Sequence, residues 1–279
     1  MRIKQFIPLL LMALLLIGFL AQRFFSKDRN ETALKPLQQD VLLAWPAVGQ
    51  AALGSIEDGL LARSSDKEKL CPTASIAKVI TALAIMKKQP FNSGQEGQAY
   101  SITRNDIARL NAYISQGGSV LPILVGMKLT QYQAMQRMLV ASDNNTADIL
   151  VEKVFGSREA YLLYAHDMLK RMGLSRTVVA DASGFSPATV STPSELVSIG
   201  IAALKNPVIA GVVSQRQAEI PVAGIITNTN RLLGIDGIIG IKTGTTGKAG
   251  SCLLFAARYT AKDGQKKNNR RDHYGRHKP

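Results

Sequence analysis

The chain has 279 residues, 46% of them hydrophobic and 19% charged, with a formal net charge of +14. That is apolar enough to bury a full core, which excludes an intrinsically disordered protein. The charge balance leaves three kinds of partner open: nucleic acid, an anionic membrane surface and an acidic polymer.

The N-terminus narrows that choice. Arg2 and Lys4 precede an apolar run from Phe6 to Ala21, a basic start followed by a hydrophobic segment of export type. With Phe24 and Phe25 at the interface, the run is long enough to cross a bilayer. No small-x-small cleavage site precedes Gln22, so residues 1–25 read as an uncleaved signal anchor in preference to a removed signal peptide. An exported protein does not normally meet nucleic acid. The positive charge is therefore assigned to the cell envelope, with the chain on the extracytoplasmic face of the cytoplasmic membrane. Residues 26–44 open with a polar, charged stretch and read as a tether. Residues 45–264 hold the folded domain, and 265–279 form a basic tail.

Two short apolar stretches, Gln50–Ile56 and Leu60–Arg63, flank Asp58-Gly59 and predict a hairpin. Pro72 closes the following loop, and an apolar run from Ser75 to about Lys87 predicts a helix capped by Thr73. Residues 90–120 are rich in loop signals, with a helix starting near Thr103. Thr130 to Val140 is amphipathic with Thr130 as its cap, and a further helix runs through Ile149, Leu150 and Val154. Tyr161 to Met172 is helical and stops at Gly173. Asp181-Ala182-Ser183-Gly184 is a turn, and Thr192-Pro193-Ser194-Glu195 opens a helix with a capping-box pattern. Ile238 to Ile241 reads as a strand entering Lys242-Thr243-Gly244-Thr245, and Ser251 to Tyr259 as the next. Cys71 and Cys252 are read as free, small core residues. Strands at both ends with helices between them predict an α/β fold. Its central antiparallel sheet is built from both chain ends and flanked by helices, with a largely helical region inserted.

Three polar clusters stand in order: Ser75-x-x-Lys78, Ser142-Asp143-Asn144 and Lys242-Thr243-Gly244, separated by 67 and then 100 residues. At i and i+3 of a helix, Ser75 and Lys78 share a face. A serine hydroxyl needs a neighbouring base to act as a nucleophile, and a lysine in an apolar pocket can lose its proton and serve. The helix start offers backbone N–H groups to a developing oxyanion. Each cluster alone has an ordinary structural reading, but the three in this order in an exported chain are far more specific.

With these motifs the chain resembles the low-molecular-mass penicillin-binding proteins, the serine-type D-alanyl-D-alanine carboxypeptidases. The likeness runs from about Gln50 to Tyr259. It extends to Gly118-Ser119, Gly126 with Leu129-Thr130, the Asp181–Gly184 turn, Ser191-Thr192-Pro193 and Asn228-Thr229-Asn230. The resemblance implies that Ser75 attacks the carbonyl of the penultimate D-Ala of a peptidoglycan stem peptide. Lys78 then acts as base, and Ser142 relays a proton to the leaving amine. Asn144 orients the substrate amide, and Lys242, Thr243 and Thr245 receive the terminal carboxylate. The N–H groups of Ser75 and Thr245 form the oxyanion hole, and Gly244 lets the substrate backbone approach. It implies acylation by β-lactam antibiotics and requires no metal or cofactor.

Two other functions stay open. One is a class A-like β-lactamase, for which Asp143 is the typical middle letter. The Val178–Gly184 stretch nonetheless lacks the glutamate that activates the deacylating water there. The other is a catalytically inactive peptidoglycan-binding module. After Tyr259, Asp263-Gly264 looks like a turn, but a basic, strand-poor tail follows where the family runs a last strand. Whether that strand is missing is left open, as is whether the tail touches an anionic polymer or is merely solvated.

Overall fold

Two antiparallel hairpins from opposite ends of the chain rest on one helix. The computed structural model of the protein describes residues 43–259. The expected signal anchor, nearly all of the tether, the turn at Asp263-Gly264 and the basic tail lie outside the described residues.

The first hairpin pairs β1 (Ala52–Ser55) with β2 (Gly59–Arg63) across the expected turn, where Gly59 takes φ +78°. Next comes β3 (Cys71–Pro72), a 3-10 turn over Ala74–Ile76, and helix α1 (Ala77–Lys88). Then follow β4 (Ala99–Ser101), α2 (Arg104–Ser115), β5 (Lys128–Thr130), α3 (Gln131–Leu139), α4 (Asn144–Phe155) and α5 (Arg158–Arg171). The chain continues through β6 (Val190–Ser191), α6 (Pro193–Lys205), α7 (Pro207–Val213), β7 (Gln217–Ile220) and β8 (Gly224–Thr227). It closes with the hairpin of β9 (Ile238–Thr246) and β10 (Gly250–Ala257).

Local chemistry explains most boundaries. Thr103 and Thr130 each form a full capping box, with Asp106 and Gln133 respectively. Thr192 caps α6 through the Glu195 N–H, but the Glu195 carboxylate turns away to the Arg176 N–H and the Thr177 hydroxyl, so only half of the expected box forms. Gly173, at φ +76°, stops α5 as expected. The expected Thr73 cap does not form. Thr73 has helical backbone angles, and its hydroxyl donates to the Ala74 and Thr189 carbonyls. The chain enters α1 through the tight turn instead, with Ala74 at φ +46° supplying the bend.

Every residue of α1 from Ala77 to Met86 is buried. A helix that is enclosed on all sides belongs at the centre of a domain. Here α3, α4 and α5 pack on it from the inserted helical region and α6 from the other side. Helix α6 in turn carries both terminal hairpins, touching β1, β2 and β10. The fold is thus mixed helix and antiparallel strand, with its two terminal hairpins at the chain ends and three further ladders between them. In one detail it departs from expectation: β1–β2 and β9–β10 are separate two-stranded ladders, with no hydrogen-bonded ladder joining them among the described residues. They share the support of α6, not a common sheet. Cys71 also departs. It is a free thiol but exposed, on a two-residue strand, where Gln50 Nε2 lies 3.1 Å from its sulfur; Cys252 is free and half-buried.

Candidate active site

The turn before α1 brings Ser75 and Lys78 to one face, and their Oγ and Nζ atoms are 2.8 Å apart. Lys78 is fully buried. Its amine also donates to Asn144 Oδ1 at 2.7 Å and to the Ser183 carbonyl at 2.9 Å, so all three ammonium directions are taken. Burial lowers the Lys78 pKa from 10.5 to about 7, against the opposing pull of Asp181, Asp143 and Asp148. At neutral pH a large share of this amine is therefore uncharged and able to take a proton.

The second cluster sits where α3 hands over to α4. Asn144 begins α4, and its side chain reaches Lys78 from there. Ser142 is buried and held at φ +65°. A non-glycine residue there carries about 1–3 kcal/mol of strain, which persists only where surroundings impose it. The Asp143 carboxylate is fully buried and ion-paired with Arg137. Its role in this structure is that of a buried partner to Arg137.

The third cluster lies on β9. Gly244 is pressed so closely on the nucleophile turn that an added Cβ would stand 2.8 Å from the Ser75 N and 2.9 Å from the Ala74 Cβ. Lys242 is buried, and its Nζ lies 3.3 Å from Thr229 Oγ1 and 2.9 Å from the Thr243 carbonyl. Burial, and then the positive charge of Lys78, hold its pKa well below the ordinary lysine range. Among the described residues Lys242 makes no hydrogen bond to Ser142; it is joined to that loop at one remove. Thr229 Oγ1 contacts both Lys242 and the Thr243 hydroxyl, and the Thr229 N–H donates to the carbonyl of Val140, two residues before Ser142. Thr245 is exposed at the rim.

Contacts join Ser75, Lys78 and Asn144, press Gly244 on the Ser75 turn, and link Lys242 and Thr243 through Thr229 to the loop of Ser142; three residues outside the expected set take part. Ser183 supplies a carbonyl to Lys78, Thr229 links β9 to the Ser142 loop, and Asp181 builds the turn under Ser183. The Asp181 carboxylate accepts from the Ser183 and Thr189 hydroxyls and from the Phe185 N–H. The Asp181–Gly184 and Asn228–Asn230 stretches stand out in the sequence, but nothing in the letters says which atom of each matters.

This is the architecture of the penicillin-binding DD-peptidases. The crystal structure of the Streptomyces K15 DD-transpeptidase superposes with a TM-score of 0.68 over 78% of this chain and 88% of its own, at 23% identity. In sequence, residues 55–266 match the model of the S11 peptidases, described as D-alanyl-D-alanine carboxypeptidase, and the chain belongs to that family. It is similar to the D-alanyl-D-alanine carboxypeptidase DacF of Bacillus subtilis, at 25% identity over 91% of this chain and 63% of the relative. It is also similar to a D-alanyl-D-alanine endopeptidase of Pseudomonas aeruginosa, at 24% identity over 79% of this chain and 68% of the relative. The chain therefore spans about two thirds of the length of these relatives.

Proposed function

We propose that the chain is a serine D-alanyl-D-alanine carboxypeptidase that removes the terminal D-Ala of peptidoglycan stem peptides through an acyl-enzyme on Ser75. The observation that carries this reading is the 2.8 Å contact between the Ser75 hydroxyl and a buried amine with a pKa of about 7. Neutral Lys78 takes the Ser75 proton as Oγ bonds to the penultimate D-Ala carbonyl carbon. The oxyanion is received by backbone N–H groups at Ser75 and Thr245. The C–N bond then breaks as Ser142 relays the proton taken by Lys78 to the leaving amine; free D-Ala departs and Lys78 is neutral again. Lys242, Thr243 and Thr245 hold its carboxylate, and Asn144 orients the substrate amide. Water activated by Lys78 next attacks the ester, releasing the shortened peptide and restoring the hydroxyl.

β-Lactams acylate Ser75 by the same first step and leave slowly. The Val178–Gly184 stretch carries no glutamate for the water of a class A enzyme, and two nearby glutamates are engaged elsewhere, Glu152 with Arg109 and Glu195 with Arg176 and Thr177. The substrate lies in the cell envelope, and the basic, then apolar, N-terminal sequence supports export to the outer face of the membrane with that segment as the anchor.

The test is D-Ala release from a D-Ala-D-Ala peptide, with intact mass after penicillin treatment. The expected result is release with one penicilloyl adduct on the Ser75 peptide, both lost in Ser75→Ala. Rapid penicillin turnover without an adduct would establish the β-lactamase instead, and peptide binding without release the inactive module. Because three relatives bear the endopeptidase name, cross-linked dimer peptides belong in the same assay.

A further inference from the structure

We propose that Arg137 is a positioning residue for the Ser142–Asn144 limb of the site, acting through Asp143; the catalytic part of this rests on the function proposed above. Arg137 lies near the end of α3 with its side chain wholly shielded from solvent, as is that of Asp143 six residues on. Its Nη2 stands 2.9 Å from Asp143 Oδ2, and its Nε bonds the same oxygen and Thr146 Oγ1, each at 3.0 Å. The Thr146 hydroxyl donates to that oxygen too. Nη2 also donates to the Leu121 and Pro122 carbonyls at 3.0 and 3.2 Å.

One planar cation thereby ties together the end of α3, the loop carrying Ser142, the first turn of α4 and the 121–122 segment. Backbone bonds close the same knot: the Asp143 N–H donates to the Arg137 carbonyl and the Asn144 N–H to the Ser119 carbonyl. A Cβ added to Gly118, beside Ser119, would stand 3.0 Å from Asn144 Nδ2.

A role in stability alone explains this poorly. A buried ion pair gives little over an apolar pair of similar volume, because both charges are stripped of water. Here Arg137 Nη1 and Asp143 Oδ1 find no partner among the described residues, which adds to that cost. What the pair does supply is direction. A guanidinium fork fixes several acceptors in one plane, which a lysine cannot copy. The parts it fixes are those needing support: Ser142 at its strained φ, and Asn144, whose side-chain oxygen must meet Lys78.

The test uses the full chain with Arg137→Met, Arg137→Lys and Asp143→Asn. It reads the limiting rate of acylation by a fluorescent penicillin, the concentration at half-saturation, and hydrogen exchange at the Asp143 and Asn144 amides. In Asp143→Asn and Arg137→Met the limiting rate should fall about 10–100-fold, with half-saturation changed less than about threefold. Exchange at the two amides should quicken while the amides of α1 stay protected. Arg137→Lys should recover only part of the rate. A folded variant with wild-type rate and exchange overturns the proposal, as does a rate loss matched by equal loosening of α1. If Arg137→Met fails to fold, Asp143→Asn, which keeps the shape, decides alone. If the wild type takes no label, the functional reading falls while the exchange measurement still judges the positioning role.

Discussion

Lys78→Met should lower the rate of Ser75 acylation by about 10³–10⁴-fold, the upper range for removing a positioned base. The wild type should show a matching pH dependence. Only the neutral amine can accept the serine proton, and its pKa is about 7. Below that value the acylation rate should fall about tenfold per pH unit; above it the rate should level off. The cause is burial, so the same lysine leaves a mark on stability. Between about 7 and its ordinary 10.5, the folded chain binds fewer protons at Lys78 than the unfolded chain does. Its contribution to stability therefore rises with pH across that window and is lost as pH falls toward 7. Lys242, also lowered by burial, acts in the same direction. A fluorescent-penicillin time course from pH 5 to 9 reads the first effect. A flat profile, or a Lys78→Met variant within tenfold of wild type, would remove Lys78 from the role of base.

Gly184→Ala should be among the most damaging single changes in the chain, costing more than about 4 kcal/mol or abolishing folding. Gly184 has φ +72°, and a Cβ there would stand 1.8 Å from the Ala74 carbonyl oxygen and 2.6 Å from its carbon. Neither backbone can yield easily. Ala74 is bent at φ +46° to present Ser75, and the turn holding Gly184 is laced to Asp181. Gly173 provides the control. It too has positive φ, at +76°, but nothing lies within 4 Å of an added Cβ. Gly173→Ala should cost only about 1 kcal/mol, the backbone penalty without the collision. Urea denaturation of both variants separates the two terms. Equal, small losses would mean that the turn does not brace the nucleophile.

The parts of this molecule that local chemistry decides could be read from the letters. The Asp58-Gly59 hairpin, the threonine caps at 103, 130 and 192 and the glycine stop at 173 each depend on neighbours within four residues. The three motif clusters were legible because their residue types demand one another chemically. What stayed hidden depends on contacts between distant segments. Thr73 has the letter of a cap, but Thr189, 116 residues away, engages its hydroxyl. Arg137 sits in Met-Gln-Arg-Met, a pattern in which an arginine normally faces water; only the folded position of Asp143 makes it internal. The separation of the two terminal ladders was equally invisible, since apolar strands of similar length look alike whether or not they pair.

On β9, Lys242 and Gly244 are buried while Thr245 is exposed, and Gly244 stands opposite Cys252 on β10. Successive side chains on a strand alternate in direction, so sliding β9 by one residue against its partner would send a threonine into Ser75 and the lysine toward solvent. That phase is set at the hairpin tip, residues 247–249, where the Ala249 N–H donates to Thr246 Oγ1. The length of a loop with no chemical duty of its own therefore decides which atoms the nucleophile meets.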